Sequence, residues 1–375
     1  MSFRRIANGC LGPLRTKGWA RRVFIGMASL ATAVALLFAW PLPERLLRAD
    51  SQELLFADKT PMHVFLAQDG AWRLSKTPSE LDPIYLQSLI ALEDERFYLH
   101  PGVDPLALLR AVKDNVQAGR VVSGASTISM QLARLLEPSR RNLGAKMYEA
   151  CRALQLSLRF SKEELLTHYL RFLPFGGNLE GVDTASLAYF GHPARHLTLL
   201  EIATLLAVPQ RPAQRSPSVG NSAALKTARN AILDRLWPFW NDLGVVPKGM
   251  SLAALKSAAP PTSLKPMPRK AIHAALWTLR QDSGASPHLT SLLPGIQQLA
   301  ERLLATMRPQ ATANGVYNAA VVIIENESGE PRALVGNYDF WDGDHAGQMI
   351  SFAARRSPGS ALKPFIYAMA LDRGL

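Results

Sequence analysis

Between residues 91 and 105 the chain reads ALEDERFYLHPGVDP, which puts Glu93, Asp94 and Glu95 in a row, with Phe97, His100 and Gly102 close behind. A carboxylate held near a hydroxyl can take its proton, the work of a general base. Acidic residues in a row are also the ordinary dress of a solvated helix face, so the run gains meaning from its company. That company is SGASTISMQLARLL, residues 123–136. Its Gly, Ser and Thr residues cannot make a comfortable helix interior, because short polar side chains compete for the backbone's hydrogen bonds. The stretch reads as a loop of hydrogen-bonding groups that opens a helix at about Ile128. Such loops hold an anion or a sugar, although a plain N-cap leaves the same pattern.

These groups need elements to carry them. From about Leu81 to Trp240 the signals are mainly helical. Asp104 followed by Pro105 predicts an N-cap with proline in the first turn. Leu106, Leu109, Val112 and Val116 follow at near-helical spacing, and Gly119 can stop the helix. Ser161 with Glu164, and Thr198 with Glu201, have the spacing of capping boxes, and Pro209 and Pro212 end the latter helix. Residues 241–316 are rich in Pro, Ser and Ala at their start (PKG, APPTS, KPMPRK) and are expected to be a linker with one helix, roughly Arg269 to Arg280. From Tyr317 the period changes. AAVVIIENESGEPRALVG has two β-rich runs around a Glu-Ser-Gly turn, which predicts a hairpin.

The N-terminus places the protein. VFIGMASLATAVALLFAW, residues 23–40, is apolar or small throughout and makes ~27 Å of helix, near the thickness of a bilayer's hydrocarbon. Arg4, Arg5, Arg15, Lys17, Arg21 and Arg22 precede it, and no acidic residue appears before Glu44. The positive-inside rule puts residues 1–22 in the cytoplasm and all that follows Trp40 outside. A cleaved signal peptide is the competing reading, but FAWPLP offers no clear small-x-small cleavage site. Residues 41–80 are expected to be a juxtamembrane connector with short strands such as MHVFLA.

Of the 375 residues, 48% are apolar and 19% charged, which excludes a disordered chain. The net charge of +12 suits a polyanion, an anionic membrane or a phosphate-bearing substrate. With no zinc-finger spacing and no RNP-like strand, nucleic acid is not expected as a partner. Cys10 and Cys151 fall on opposite sides of the apolar segment, so no disulfide is implied.

In order along the chain, these residues resemble glycosyltransferase family 51. Glu93, Asp94, Phe97, His100 and Gly102 match its first motif, Glu-Asp-x-x-Phe-x-x-His-x-Gly. Gly124, Ser126, Thr127, Ile128 and Gln131 match the second, with Ala125 and Ser129 as departures. Lys146 and Glu149 match the third, whose arginine is replaced by Ala145, with Arg140 and Arg141 nearby. In the fourth, Tyr169, Leu170, Phe175 and Gly176 match, while Arg171 and Phe172 stand where Asn and Arg are usual. The fifth fits through Tyr189, Phe190, Gly191, Glu201, Pro209, Gln210 and Pro212. The Pro-Phe-Gly-Gly and Ser-Met-Gln variants are similar to the 1C subgroup of class A penicillin-binding proteins.

The resemblance implies a mainly α, lysozyme-like glycosyltransferase domain at residues 81–240, with a subdomain that dips into the membrane. It implies polymerisation of lipid II into β-1,4 glycan with inversion and release of undecaprenyl pyrophosphate. By motif position Glu93 is the general base and Glu149 the second catalytic glutamate, orienting the donor or holding a divalent cation, magnesium or manganese. Lys146, helped by Arg141, neutralises the pyrophosphate, and Lys146 and Glu149, three apart, share a helix face. Asp94, Phe97, His100, Ser126, Thr127 and Gln131 are expected at the substrate. Phe172 is a concern, since it cannot replace a pyrophosphate-binding arginine. Lipid II, the growing glycan strand, the cytoplasmic membrane and other wall-synthesis proteins are the implied partners. The rival expectation is a non-catalytic scaffold in the same machinery, and a lysozyme-like hydrolase is a third.

Ser360 and Lys363 lie in RSPGSALKPF and match Ser-x-x-Lys, the nucleophile motif of penicillin-binding transpeptidases. The Ser-x-Asn and Lys-Thr-Gly segments that complete that site do not follow in the stretch to Leu375. Residues 317–375 are therefore expected to be an incomplete α/β transpeptidase start that does not acylate penicillin, poorly packed beyond about residue 310.

Overall fold

The computed structural model describes residues 16–120, 124–140, 142–281, 284 and 286–375. Arg141 and Cys10 lie outside the described residues. The chain forms two units, one of residues 1–49 and 73–264, the other of residues 50–72 and 265–375.

The first unit is helical, as expected. Its first helix, α1 (Thr16–Ala39), contains an apolar stretch from Arg21 to Ala39 that is long enough to cross a membrane and is not buried against the protein. Next come α2 (Pro83–Glu93), α3 (Pro105–Ala118), α4 (Ile128–Leu136), α5 (Leu143–Arg159), α6 (Lys162–Phe172), α7 (Val182–Phe190), α8 (Leu199–Ala207), α9 (Pro212–Arg215), α10 (Ser222–Asp242) and α11 (Leu252–Ser257). The predicted punctuation forms. Asp104 caps α3 by accepting from the Leu106 and Ala107 amides, and Gly119 ends it in the left-handed region. The Ser161–Glu164 and Thr198–Glu201 capping boxes close on α6 and α8. Helix α4 packs between α5 and α6, and α8 packs on α10. Fully buried Ile128, Leu132, Leu156 and Leu165 fill this core, and the buried Trp240 indole donates to Ser88 Oγ at 2.8 Å.

The end of α1 is tied to α5. The Arg152 guanidinium lies 3.7 Å from the Trp40 ring centre and donates to the Pro41 carbonyl at 2.7 Å. Gln155 donates to the Trp40 carbonyl, and Arg159 to that of Phe38. Trp40 thus stands just past the apolar helix, with its ring edge-on to Tyr148 at 5.3 Å.

The second unit corrects two expectations. Residues 50–72 are more than a connector: β1 (Glu53–Leu55) pairs antiparallel with β2 (Pro61–Val64) and parallel with β3 (His288–Leu289). Residues 265–316 are more than a linker, for α12 (Ile272–Gln281) and α13 (Pro294–Ala313) belong to the same unit. Local composition could not show this, because the partner strands lie more than two hundred residues apart. The hairpin forms as β4 (Val321–Ile324) and β5 (Pro331–Val335). It is not stranded either: Ala333 and Val335 pack with Ala300 and Leu304 of α13. Beyond residue 354 the expectation of poor packing holds, since α14 (Lys363–Asp372) has no buried residue.

Candidate active site

Glu93 is the last residue of α2, and its half-buried carboxylate opens into two adjoining cavities. The larger, ≈ 560 Å³, is lined by Glu93, Arg96, Arg110, Ser126 and Arg235 among others. The second, ≈ 350 Å³, is bounded by Glu93, Ser126, Gln131, Arg134, Tyr169 and Gln210. The Glu93 carboxylate accepts from Gln131 Nε2 at 2.8 Å on Oε2 and, at 3.4 Å, from Gln210 Nε2 on Oε1. Gln131 Oε1 in turn accepts from the Tyr169 hydroxyl at 3.0 Å. Burial, and then the neighbouring Glu93 carboxylate, push Tyr169 well above the usual phenol range, so it keeps its proton.

A third cavity, ≈ 460 Å³, meets the other two at Ser126 and is lined by Arg134, Asn142, Leu143, Ala145, Lys146 and Glu149. Helix α5 supplies the last four, and the Asn142 side chain caps it on the Ala145 amide. Lys146 is exposed and reaches Ser126 Oγ at 3.4 Å. Glu149, one turn on, is buried, and its Oε2 has no hydrogen-bond partner among the described residues. A buried carboxylate oxygen without a donor is costly, so a ligand group or water is needed to complete it. An exposed cation, a half-buried guanidinium and an unsatisfied carboxylate in one cavity can hold an anion and orient it.

Other motif residues hold the frame of the cleft. His100 Nδ1 accepts from the Gly102 amide, which leaves the proton on Nε2 to meet Asp94 at 2.9 Å. Asp94 Oδ2 also accepts from the Ile128 amide, so one carboxylate ties the loop after Glu93 to the start of α4. Thr127 donates to the Gly102 carbonyl at 2.5 Å and caps α4 on the Met130 amide. Gly102 has φ +104°, and a Cβ there would sit 2.6 Å from the Ala153 carbonyl oxygen. Phe97 is fully buried under the Lys162 ammonium, 4.4 Å away, and that ammonium also donates to the His100 carbonyl at 2.6 Å. Burial lowers the Lys162 pKa, against the pull of Asp94. Phe97, His100 and Thr127 were expected at the substrate. Their buried side chains hold the loop that follows Glu93, and Thr127 also lines the larger cavity.

Ligand-type atoms of Asp94, His100 and Asp104 lie within 4.8 Å of one another. Each is already used: Asp94 and His100 by one another, and Asp104 by Arg96 at 2.7 Å and by its helix cap. This trio is closed by protein partners and offers no open position for an ion.

Phe172 stands in the frame of the first unit. It does not face the cleft. It is fully buried, with the guanidinium groups of Arg171, Arg73 and Arg45 at 4.7, 5.4 and 5.5 Å from its ring centre. Arg73 and Arg45 share Glu180, and Arg171 donates to the Leu46 and Arg48 carbonyls. The aromatic ring at this position is the shared floor of an arginine cluster and lines none of the three cavities described above.

Arg134 carries no role in the sequence reading, yet it lines two of the three cavities. The signal was available: it stands three residues after Gln131 on the same helix, hence on the same face. Arg235 donates to the Leu92 carbonyl at 2.9 Å, next to Glu93, from a helix more than a hundred residues away. No local pattern announces such a contact. Ser360 and Lys363 are exposed; the Lys363 amide donates to the Ser360 carbonyl, and among the described residues neither side chain makes a hydrogen bond.

The family model described as transglycosylase matches residues 59–237. Through this region the chain is similar to the class A penicillin-binding proteins. Within them it is similar to penicillin-binding protein 1C of Escherichia coli, at 34% identity over 92% of this chain and 45% of that protein. Penicillin-binding protein 1B of the same organism is 29% identical over 81% of this chain and 37% of its own length. The chain thus spans less than half the length of these relatives. A crystal structure of penicillin-binding protein 1A from Haemophilus influenzae aligns over 79% of this chain and 33% of that one, at 15% identity and a TM-score of 0.30, too low to bear on the fold.

Proposed function

We propose that this chain polymerises lipid II into β-1,4 glycan strands, inverting the anomeric centre and releasing undecaprenyl pyrophosphate. The observation that carries this reading is the placement of Glu93 beside a cavity that holds Lys146, Arg134 and the unsatisfied Glu149. A sugar 4-hydroxyl is a poor nucleophile at neutral pH and needs a base within hydrogen-bond reach. Glu93 takes that proton as the oxygen bonds to the anomeric carbon. The bond from that carbon to the pyrophosphate breaks on the opposite face, and the leaving group keeps the electron pair. Pyrophosphate needs its charge balanced rather than protonation, which is the part of Lys146 and Arg134. A divalent cation, magnesium or manganese, fits as one carboxylate plus substrate phosphates. Glu149 is the residue that would hold it, and the ion would add charge neutralisation at the leaving group.

The substrate's lipid places the reaction at a membrane. Leu106, Leu109 and Val116 of α3, with Leu143 and Met147 of α5, are large, apolar and exposed. Together with α1 they suit contact with lipid. The basic residues before the apolar run of residues 23–40 favour a single pass with a cytoplasmic N-terminus and the catalytic unit outside the inner membrane. The growing strand and other wall-synthesis proteins are the partners this reading implies.

Purified protein in detergent, given lipid II, should make glycan polymer. Glu93→Gln should lower the rate by ~10²-fold or more, the usual worth of a general base. Undiminished synthesis by that variant would overturn the assignment. Binding of lipid II without polymer from the unaltered protein would favour the scaffold reading.

A further inference from the structure

The contact chain Tyr169–Gln131–Glu93 has only one consistent set of protons. A carboxylate can only accept, so the Gln131 amide must present its NH₂ to Glu93. Its carbonyl therefore points the other way, at the Tyr169 hydroxyl, which must donate. Tyr169 is 2% exposed, so its hydroxyl cannot turn to solvent for a substitute, while Gln131 stands half-buried at the wall of both cavities. We infer that Tyr169 and Gln131 are positioning residues for Glu93: the tyrosine locks the amide so that its NH₂ holds Glu93 Oε2 at 2.8 Å and leaves Oε1, which has only the longer 3.4 Å contact from Gln210, as the oxygen that takes the substrate's proton. This rests on the proposed glycosyltransferase reading and changes the part of Gln131, from a donor-binding group to a brace on the base.

The inference sets the direction of an effect. Without the tyrosine hydroxyl the amide is free to flip. A carbonyl facing the carboxylate repels its charged form, so Glu93 should become a weaker acid. Other charges reach the same carboxylate. Tyr85 lies on its own helix, and Asp94, Glu95 and Arg96 follow it in the chain, with His100 paired to Asp94. Arg110 of α3, Arg134 of α4 and Arg235 of α10 line the flanking cavities. Tyr169→Phe leaves all of them in place and removes one hydroxyl.

The test compares Tyr169→Phe with the unaltered 375-residue protein in lipid II polymerisation across pH. The acid limb of the kcat profile should move up by ~0.5–1 pH unit, so that kcat at a fixed pH on that limb falls ~3–10-fold, with KM within about twofold. Recovery of rate toward higher pH should accompany it. Gln131→Met removes both hydrogen bonds at similar volume and should move the limb the same way, so it serves if Tyr169→Phe melts too low to assay. A raised KM with an unmoved limb would make Gln131 a substrate contact and overturn the inference, as would a profile that does not change. The carboxyl infrared band absent from Glu93→Gln gives a readout without turnover. Its titration should shift upward in Tyr169→Phe even if the protein proves unable to polymerise lipid II.

Discussion

Glu93 and Ser360 are both residues of recognisable motifs, and they stand in opposite surroundings. Around Glu93 every neighbour is itself held: Gln131 by Tyr169, the following loop by Asp94 and His100, the start of α4 by Thr127. Ser360 lies on an exposed turn, and the helix after it buries none of its residues, although Phe365, Ile366, Tyr367 and Leu371 are apolar. A nucleophile or base acts through the groups that fix its geometry and its charge. In this chain, motif residues become a site where a second layer of structure surrounds them.

The contrast can be pressed hardest at Phe172, which belongs to the frame and not to the cleft. Phe172→Ala should cost ~3–5 kcal/mol of stability in the first unit, from the lost ring and the cavity left among three guanidinium groups. Thermal or urea unfolding would measure it. At a temperature where the variant is folded, KM for lipid II should be unchanged; a raised KM would move Phe172 into the site.

Lys146→Ala and Arg134→Ala should each lower polymerisation by ~10–100-fold, the worth of one charge-assisted hydrogen bond of about 1.5–3 kcal/mol at the leaving group. Their folding should be little affected, because Lys146 is exposed and Arg134 half-exposed. If both variants work normally, the pyrophosphate binds elsewhere.

A smaller effect separates the two units by pH. Burial lowers the pKa of His63 in β2, and the charge of Arg269 adds to this, against a hydrogen bond from the ring to the Lys270 carbonyl. Its folded pKa lies below the unfolded value of about 6.5, so the neutral ring's contribution is complete above that pH and is lost as pH falls through the folded value. The second unit should loosen on mild acidification, and His63→Gln should remove that part of the pH dependence. Hydrogen exchange resolved by segment would report it; loosening of the first unit alone would contradict it.

The smallest expected change is at Ser360. Ser360→Ala should leave lipid II polymerisation within about twofold, and fluorescent penicillin should not label the 375-residue chain at Ser360. Strong labelling would show that the exposed motif acquires its surroundings in solution.

Much of the first unit was legible in the sequence. The caps at Asp104, Ser161 and Thr198, the helix beginning at Ile128, and the pairing of Lys146 with Glu149 on one face depend on neighbours a few residues away. So does the apolar run before Trp40. Short-range hydrogen bonding and helical periodicity write such features into local order. What the tertiary structure decided involves distant partners. Whether Phe172 faces a substrate or three arginines depends on Arg45 and Arg73, and the union of residues 50–72 with the C-terminal unit depends on strands near residue 288. The same holds for Glu93. The sequence could mark it as an acid among acids, but which oxygen is held closely and which only loosely depends on Gln131 on another helix and, behind it, a buried tyrosine on a third.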